Sequence, residues 1–489
     1  MLSSKRWLPL IAAALAGCAG IPADRGQDDL HKLAAARGGY DRAAADADPR
    51  KLVAEWLGQA LSVDSAARVA LVNNPVLKAE YAKLGFAAAE VYEAGRLSNP
   101  RLSASVLFVD EPGLVDKLDF GLTQSFTSLL LLPARSRFAQ GEFERVKQSV
   151  GAQVLNLAAD TEAAWYRLVG AWHLVTMREA VATAAQASVD LAQRFFDAGN
   201  INRLELAREQ AAASQAQLDL LEARAGVTLA RGALNRLMGL AATEDDWKVS
   251  DRLPAPLTDE DSLSHLLKTA DASRLDLAAA RMRVTLLADA LGVTRRFRYL
   301  GEVRLGIGAE RDTDGSRHLG PGLSLELPIF NQGTGRVARA ETGLQEAEAE
   351  LRSLEIEISN GVQHAAAEVA SAKARAGQYR QSLIPLREVI VARTQEEVNY
   401  MLVGQFELLA VKQQEYDAYQ GYLEAVRDYW LARVELAREV GAALPSSAQA
   451  AGEALDADEL TRPKGGGMQM NHEGMQHDMP GTQQHGDHP

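Results

Sequence analysis

LSASVLF (residues 102–108) and LDFGLT (residues 118–123) are the stretches that decide the fold of this chain. In both, apolar side chains occupy every second position, and serine, aspartate, glycine or threonine occupies most of the positions between them. The alternation returns in the second half of the chain, in VRLGIGA (303–309) and LSLEL (323–327). A period of two gives a strand one apolar and one polar face, which is typical of a membrane-barrel strand and also fits a half-buried strand of a soluble sandwich. Because two isolated hairpins are unstable, we expect several chains to close them together.

The strands belong to a tandem repeat. GLTQSF at 121–126 aligns with GLSLEL at 322–327, an offset of 201, and GNINRL at 199–204 aligns with GQFELL at 404–409, an offset of 205. The predicted organisation is therefore a signal peptide (1–17), an N-terminal anchor segment (18–60), a first repeat (61–240), a linker (241–261), a second repeat (262–441) and a C-terminal tail (442–489) that is rich in Met and His from residue 468.

Long helices are predicted between the strands. Residues 143–197 and 203–238 contain no proline and are rich in strong helix formers. Pro385 predicts a break or kink in the corresponding helix of the second repeat. Another stretch has apolar residues at spacings of three and four, the seam of a coiled coil. The seam consists of Val337, Ala340, Leu344, Ala347, Leu351, Leu354 and Ile358. The fold class is thus mainly α with a small β part.

The N-terminus reads as an export signal. Lys5 and Arg6 precede an apolar run, which ends in the sequence LAGC at residues 15–18. This sequence resembles the bacterial lipoprotein box, which implies that Cys18 is lipidated and becomes the first mature residue. Ala19, in place of an aspartate, implies sorting to the outer membrane. An ordinary signal peptide with a chance cysteine is the alternative.

Composition excludes several functions. The net charge is −13, and Lys and Arg form only short scattered pairs along the sequence, so no nucleic-acid partner is expected. One cysteine cannot form an intramolecular disulfide. No G-x-S-x-G, HExxH, Walker or dinucleotide-binding motif is present in a suitable context, so we do not expect an enzyme.

The last 22 residues combine two kinds of metal ligand. Thioether sulfur suits Cu(I), and imidazole suits copper, nickel and zinc. No cofactor is required, but we expect the tail to bind copper or silver, with a merely solvated polar tail as the alternative. The candidate ligands are Met468, Met470, His472, Met475, His477, Met479, His485 and His488.

The repeated order of long helix, strand hairpin, long helix and glycine-tipped hairpin resembles the TolC-like outer-membrane factors over about residues 50 to 441. Ser98-Asn99-Pro100 before the first strand and GLSLELPIFN at 322–331 carry the same resemblance. It implies a homotrimer in which each chain gives four strands to a twelve-stranded barrel in outer-membrane lipid and gives its helices to a periplasmic tunnel. It also implies two protein partners, a periplasmic adaptor and an inner-membrane transporter of the resistance-nodulation-division (RND) class.

The resemblance further assigns roles to the hairpin tips. Gly199, Asn200, Gly404 and Gln405 map to the adaptor-contacting tips, although any helical hairpin can use glycine for its positive φ. Members of the family carry acidic gate residues six and nine positions after the tip glycine. Glu205 occupies the first of these positions in the first repeat, whereas the second repeat has Ala410 and Gln413. Glu205 is thus a candidate gate residue or a solvated surface glutamate.

The function predicted from these features is an outer-membrane exit channel of a tripartite efflux system that exports copper or silver ions. The alternatives are a channel of the same fold for drugs or other organic solutes, and a lipid-anchored periplasmic scaffold or metal-buffering protein without a pore.

Overall fold

A computed structural model describes residues 24–38, 49–241, 246–249, 252–444, 457 and 460. In this part of the chain, long helices carry one small antiparallel sheet at one end. No helix among these residues is both long enough and apolar enough to cross a membrane. The expectation of a mainly α fold with a small β part is confirmed.

The first half of the chain contains six helices and one hairpin among the described residues. They are α1 (Gln27–Gly38), α2 (Pro49–Leu57), α3 (Val63–Asn73), α4 (Pro75–Ala94), β1 (Arg101–Leu107), β2 (Lys117–Ser125), α5 (Phe126–Asp197) and α6 (Arg203–Met238).

The second half repeats this order from α3 onward, so the tandem repeat is confirmed. Its elements are α7 (Leu263–Ser273), α8 (Leu275–Arg296), β3 (Val303–Arg311), β4 (Arg317–Leu325), α9 (Thr334–Gln378), a π-helical turn (Tyr379–Leu383), α10 (Ile384–Asn399) and α11 (Gln405–Val440).

The helix α5 is longer than the sequence predicted. It has 72 residues and begins directly after β2, with Pro133 inside it. At 1.5 Å per residue it extends over about 108 Å. Pro133 is the eighth residue of α5, beyond the first turn, so it removes one helical hydrogen bond, the one to the carbonyl of Leu129, without ending the helix. The sheet and the helical body therefore share one continuous rod.

The sheet pairs the two repeats directly. Its strand order is β1-β2-β3-β4, and all neighbours are antiparallel. The central pair joins β2 of the first repeat to β3 of the second, with Leu122 opposite Ile307. The pairing places all connections to the helices at the same end of the sheet, because β1 and β3 begin there and β2 and β4 end there.

The predicted coiled-coil seam of α9 is confirmed. All seven seam residues are buried or half-buried, while most residues between them are exposed. The spacing of three and four continues beyond Ile358 through further buried positions: Val362, Ala365, Val369, Ala372 and Ala376. As a whole, α9 packs mainly against α11 and α8. Small residues on the seam allow the helix axes to approach closely.

Pro385 causes the expected irregularity. The N–H of Ile384 donates to the carbonyl of Tyr379, five residues earlier, so the helix widens into one π turn just before the proline. The Tyr379 ring packs against Gly421 of α11, where an added Cβ would lie 2.6 Å from the ring. The first repeat has no such turn, and α5 runs unbroken through the matching region.

Glycine caps fix the end of each repeat. Gly239 after α6 has a φ of 70°, and Gly441 after α11 also has a φ of 70°. A Cβ at Gly239 would lie 2.9 Å from the carbonyl oxygen of Asn73, and a Cβ at Gly441 would lie 3.0 Å from the Cα of Arg274. Each cap thus packs on the junction between two helices at the start of its own repeat.

Aromatic residues form the core where the repeats meet. The rings of Tyr166 and Trp430 stack at 5.6 Å, which joins α5 to α11. The indole of Trp165 donates to the carbonyl of Leu61 at 2.8 Å, and the indole of Trp430 donates to the carbonyl of Pro254 at 2.7 Å. The described part of the linker is therefore packed against the helices.

Candidate functional site

One face of the sheet is apolar and exposed. The alternation predicted from the sequence brings the apolar residues of all four strands onto this face, where they sit opposite one another. Ile307 is 59% exposed and Leu319 is 78% exposed. The other large exposed members are Leu102, Val106, Phe120, Leu122, Leu305, Leu323 and Leu325. A continuous apolar face of this kind needs an apolar neighbour.

The opposite face is polar and rich in glycine. Gly121, Gly308 and Gly320 lie side by side across three strands. Lys117 forms an ion pair with Glu310, and its Nζ lies 3.8 Å from Oδ1 of Asp312. These residues lie at the end of the sheet that is away from the helices. Polar side chains on one face and apolar side chains on the other suit a wall between water and lipid.

The first hairpin tip is a glycine turn at the far end of α5. Gly199 has a φ of 76°, and the N–H of Asn200 donates to the carbonyl of Phe195 at 2.8 Å. The side chain of Asn202 caps α6 by accepting from the N–H of Glu205 at 3.0 Å. The predicted tip residues Gly199 and Asn200 are exposed in this turn.

The second tip uses a methionine where the first uses glycine. Met401 has a φ of 60°, and the N–H of Leu402 donates to the carbonyl of Glu397 at 2.9 Å, the same bond as in the first tip. Gly404 has a φ of −82° and caps the start of α11, and Gln405 is the first residue of that helix. The expectation that Gly404 supplies a positive φ is therefore wrong.

This geometry corrects the alignment of the tips. Met401 matches Gly199, and Gly404 matches Asn202, so the structural offset is 202 rather than 205. The sequence alignment matched one glycine with another, although the two glycines have different backbone roles. Gly404 and Gln405 remain near the tip, but Tyr400, Met401 and Leu402 form its exposed end, and Met401 is 93% exposed.

The corrected register also changes the candidate gate. The second-repeat counterpart of Glu205 is Glu407, not Ala410, and both glutamates are exposed in the first turn of their helices. The N–H of Asn202 donates to the carboxylate of Glu205 at 3.2 Å, so Glu205 also has a capping role. Glu407 is missed when positions are counted from Gly404, because Gly404 caps α11 and is not the turn residue of the tip.

A carboxyl group with a shifted pKa lies between the repeats. Glu162 on α5 lines a cavity of about 550 Å³ together with Asp64, Tyr166, Trp430 and Arg433. Burial raises the pKa of Glu162 from 4.5 to about 7, because the charged form loses hydration. Folding therefore increases the protonated fraction of this carboxyl group near neutral pH.

The described residues contain no cluster of His, Cys, Asp and Glu that could hold a metal ion. The predicted lipid anchor Cys18 lies outside the described residues, as do all the Met and His residues of the tail. Their roles stay predictions.

Comparison with known proteins identifies the class of fold. No family model matches the sequence. The Campylobacter jejuni CmeC outer-membrane channel superposes with a TM-score of 0.66 at 16% identity, over 82% of this chain and 89% of that one. VceC, an outer-membrane protein of Vibrio cholerae, gives a TM-score of 0.65 at 17% identity, over 78% and 96%. CusC, whose structures concern transmembrane channel formation, gives 0.62 at 16%, over 78% and 92%. The chain has the fold of outer-membrane channels, and its resemblance to the TolC-like factors is confirmed at that level.

A sequence relative adds a more particular likeness. Over 250 residues, 50% of this chain, the sequence is 26% identical to the cobalt-zinc-cadmium resistance protein CzcC of Cupriavidus metallidurans. The chain spans 57% of the length of that relative. The proteins that this chain resembles are thus channels, outer-membrane proteins and a metal-resistance protein rather than enzymes.

Proposed function

We propose that this chain is the subunit of a homotrimeric outer-membrane exit channel, part of a tripartite efflux system for heavy-metal ions. The observation that carries the proposal is the exposed apolar face of a sheet whose two outer strands are each paired on one side only within the described chain. An unpaired strand edge in lipid leaves backbone groups without hydrogen bonds, so the sheet must be closed by other copies. Three chains give twelve strands.

The helices support the same closure. On the tip side of the molecule, away from the sheet, the helices lie side by side in the order α6, α5, α11, and then α9 with α10. The two outer members of this array carry exposed apolar side chains. On α6 these are Leu204, Leu218, Leu221 and Leu229, and on α9 and α10 they are Ile356, Leu386, Val389 and Ile390. Two different apolar faces at opposite ends of one array suit a head-to-tail interface, which forms a ring when its rotation closes.

The metal cargo rests on two observations. The name of the relative CzcC refers to cobalt, zinc and cadmium resistance. The tail of this chain supplies thioether and imidazole groups, which favour copper or silver. We propose copper or silver as cargo, a periplasmic adaptor that meets the hairpin tips, an RND transporter in the inner membrane, and a lipid at Cys18.

The test uses a strain that lacks this chain and other channels of the same fold. Full-length chain and a chain without residues 464–489 are returned separately, and tolerance to copper, silver, cobalt, zinc, cadmium and an organic antibiotic is measured. We expect the full chain to restore tolerance to copper and silver. If tolerance is restored only to cobalt, zinc and cadmium, those ions and not copper or silver are the cargo. If only antibiotic tolerance is restored, the cargo is an organic solute.

A second measurement separates a channel from a scaffold. Purified full-length protein should give ion conductance in planar lipid bilayers, and Cys18→Ser should remain in the membrane because its strands still hold it there. Absence of conductance, together with release of Cys18→Ser into solution, would favour the scaffold.

A further inference from the structure

Four segments meet at one end of the sheet, where the ends of the strands join the helices. They are residues 94–101, 126–139, 294–304 and 325–341. Hydrogen bonds hold them together. The hydroxyl of Thr127 donates to the carbonyl of Gly301 at 3.1 Å, and the guanidinium of Arg135 donates to the carbonyl of Arg96 at 3.0 Å. The guanidinium of Arg336 donates to the carbonyl of Arg298 at 3.0 Å. We call these four segments the arginine belt.

The charge of the belt is opposite to that of the whole chain. The four segments contain ten arginines, three glutamates, no lysine and no aspartate, which gives a net charge of +7 in a chain of net charge −13. Along the sequence these arginines are separate short groups. The antiparallel sheet brings these groups together, because all four strands attach to helices at the same end of the sheet.

Most of the belt's arginine side chains are exposed to solvent. Seven of the ten arginines are exposed: Arg101, Arg135, Arg137, Arg295, Arg296, Arg336 and Arg339. The exposed Arg295 forms an ion pair with Glu341. Within the described residues, Arg137, Arg296 and Arg339 form no ion pair with a carboxylate. The Nε of Arg137 donates to the carbonyl of Pro133 at 3.2 Å, and the charges of all three groups are left without a carboxylate that would compete with an external anion.

Large apolar side chains are exposed among the arginines. Phe330 is 100% exposed, and Leu327 extends the apolar face of β4 beyond the end of the strand. Leu97, Phe126, Leu129, Tyr299 and Ile329 are exposed in the same belt. Exposed aromatic and aliphatic residues beside arginines are typical of protein surfaces at the level of lipid headgroups.

We propose that the arginine belt binds the phosphate groups of anionic phospholipids in the membrane leaflet on the helical side of the sheet. The inference rests on the proposed function, because it takes the apolar face of the sheet as lipid-facing. If that face spans the hydrocarbon layer, the belt directly next to it lies at headgroup depth. Arginine suits this role, since its planar group binds phosphate through two hydrogen bonds and lysine does not.

The test compares two triple variants of the full-length protein. Arg137→Gln, Arg296→Gln and Arg339→Gln together remove three charges from the belt. The matched control, Arg194→Gln, Arg203→Gln and Arg208→Gln, removes three exposed arginines from the helices near the first tip. Native mass spectrometry counts the lipids that each detergent-solubilised protein retains from an equimolar mixture of phosphatidylglycerol and phosphatidylcholine.

We expect the wild type and the control to retain mainly phosphatidylglycerol. The belt variant should lose this preference by at least about fivefold, the contribution of roughly one arginine near an anionic surface. Equal preference in the belt variant and the wild type, or an equal loss in the control, would overturn the proposal. So would loss of the preference when inorganic phosphate replaces chloride at the same ionic strength, because the belt would then be a site for free anions.

Membrane insertion is measured separately, by conductance of the wild type in phosphatidylcholine bilayers. Lack of conductance there counts against the proposed channel. Normal conductance with an unchanged lipid preference in the belt variant counts against the arginine belt alone.

Discussion

Replacing Ile307 by arginine tests whether the apolar face of the sheet contacts lipid. Ile307 lies at the centre of β3, opposite Leu122 on one side and Pro321 on the other. Gly308 is the next residue, at nearly the same depth and on the opposite face, and a Cβ there would have no neighbour closer than 3.9 Å. Gly308→Arg therefore introduces the same charge in the same strand, on the polar side.

The two substitutions should differ strongly in cost. An arginine on the lipid face of a barrel costs about 2–4 kcal/mol at the middle of the bilayer, because its charge loses hydration. The proposed ring of three chains would carry the substitution three times, so the cost would become about 6–12 kcal/mol per assembly. On the water side the guanidinium remains hydrated, and Gly308→Arg should cost about 1 kcal/mol or less.

The assay is the amount of assembled protein in outer-membrane fractions, read as the heat-sensitive slow band on a gel. We expect little assembled protein for Ile307→Arg and near-normal amounts for Gly308→Arg. Equal amounts for the two variants would refute a lipid-facing sheet. A large loss for Gly308→Arg with normal Ile307→Arg would mean that the faces are assigned the wrong way round.

Three further outcomes are expected. Glu162→Gln should flatten the pH dependence of thermal stability. Because folding raises the pKa of Glu162, the wild type should lose at most about 3 kcal/mol of stability as the pH rises from about 4.5 to about 7. The neutral variant should not show this loss. Met401→Gly should stabilise the second tip by about 0.5–1 kcal/mol, since glycine adopts a positive φ without a Cβ penalty. Gly199→Met should destabilise the first tip for the same reason. Hydrogen exchange of the tip amides measures both effects. Gly421→Ala should lower the free energy of unfolding by about 1–3 kcal/mol, because the added methyl group would overlap the ring of Tyr379; an unchanged melting temperature would contradict this packing.

Local patterns in the sequence predicted the elements of the fold well. The alternation around residues 102–108 and 303–309 marks β1 and β3, and the spacing from Val337 to Ile358 marks the buried side of α9. Pro385 marks the π turn, since proline lacks the N–H that a regular helix needs. These features depend on residues close together in the sequence.

Features that depend on distant segments were not predicted. The pairing of β2 with β3 joins residues of different repeats and has no local signature. The second tip was placed three residues too far along the chain, because Met401 adopts a conformation that glycine usually supplies. The arginines of the belt look like scattered pairs along the sequence, since only the antiparallel sheet brings the four segments together.

The two open edges of the subunit have a genetic consequence. In the proposed head-to-tail ring, a chain damaged at one outer strand, β1 or β4, would still bind a healthy neighbour through the other outer strand. One faulty copy is then enough to leave a gap in an otherwise sound assembly. Alleles altered at a single edge should accordingly be dominant negative when they are expressed beside the wild type, whereas alleles that prevent the chain from folding should be recessive.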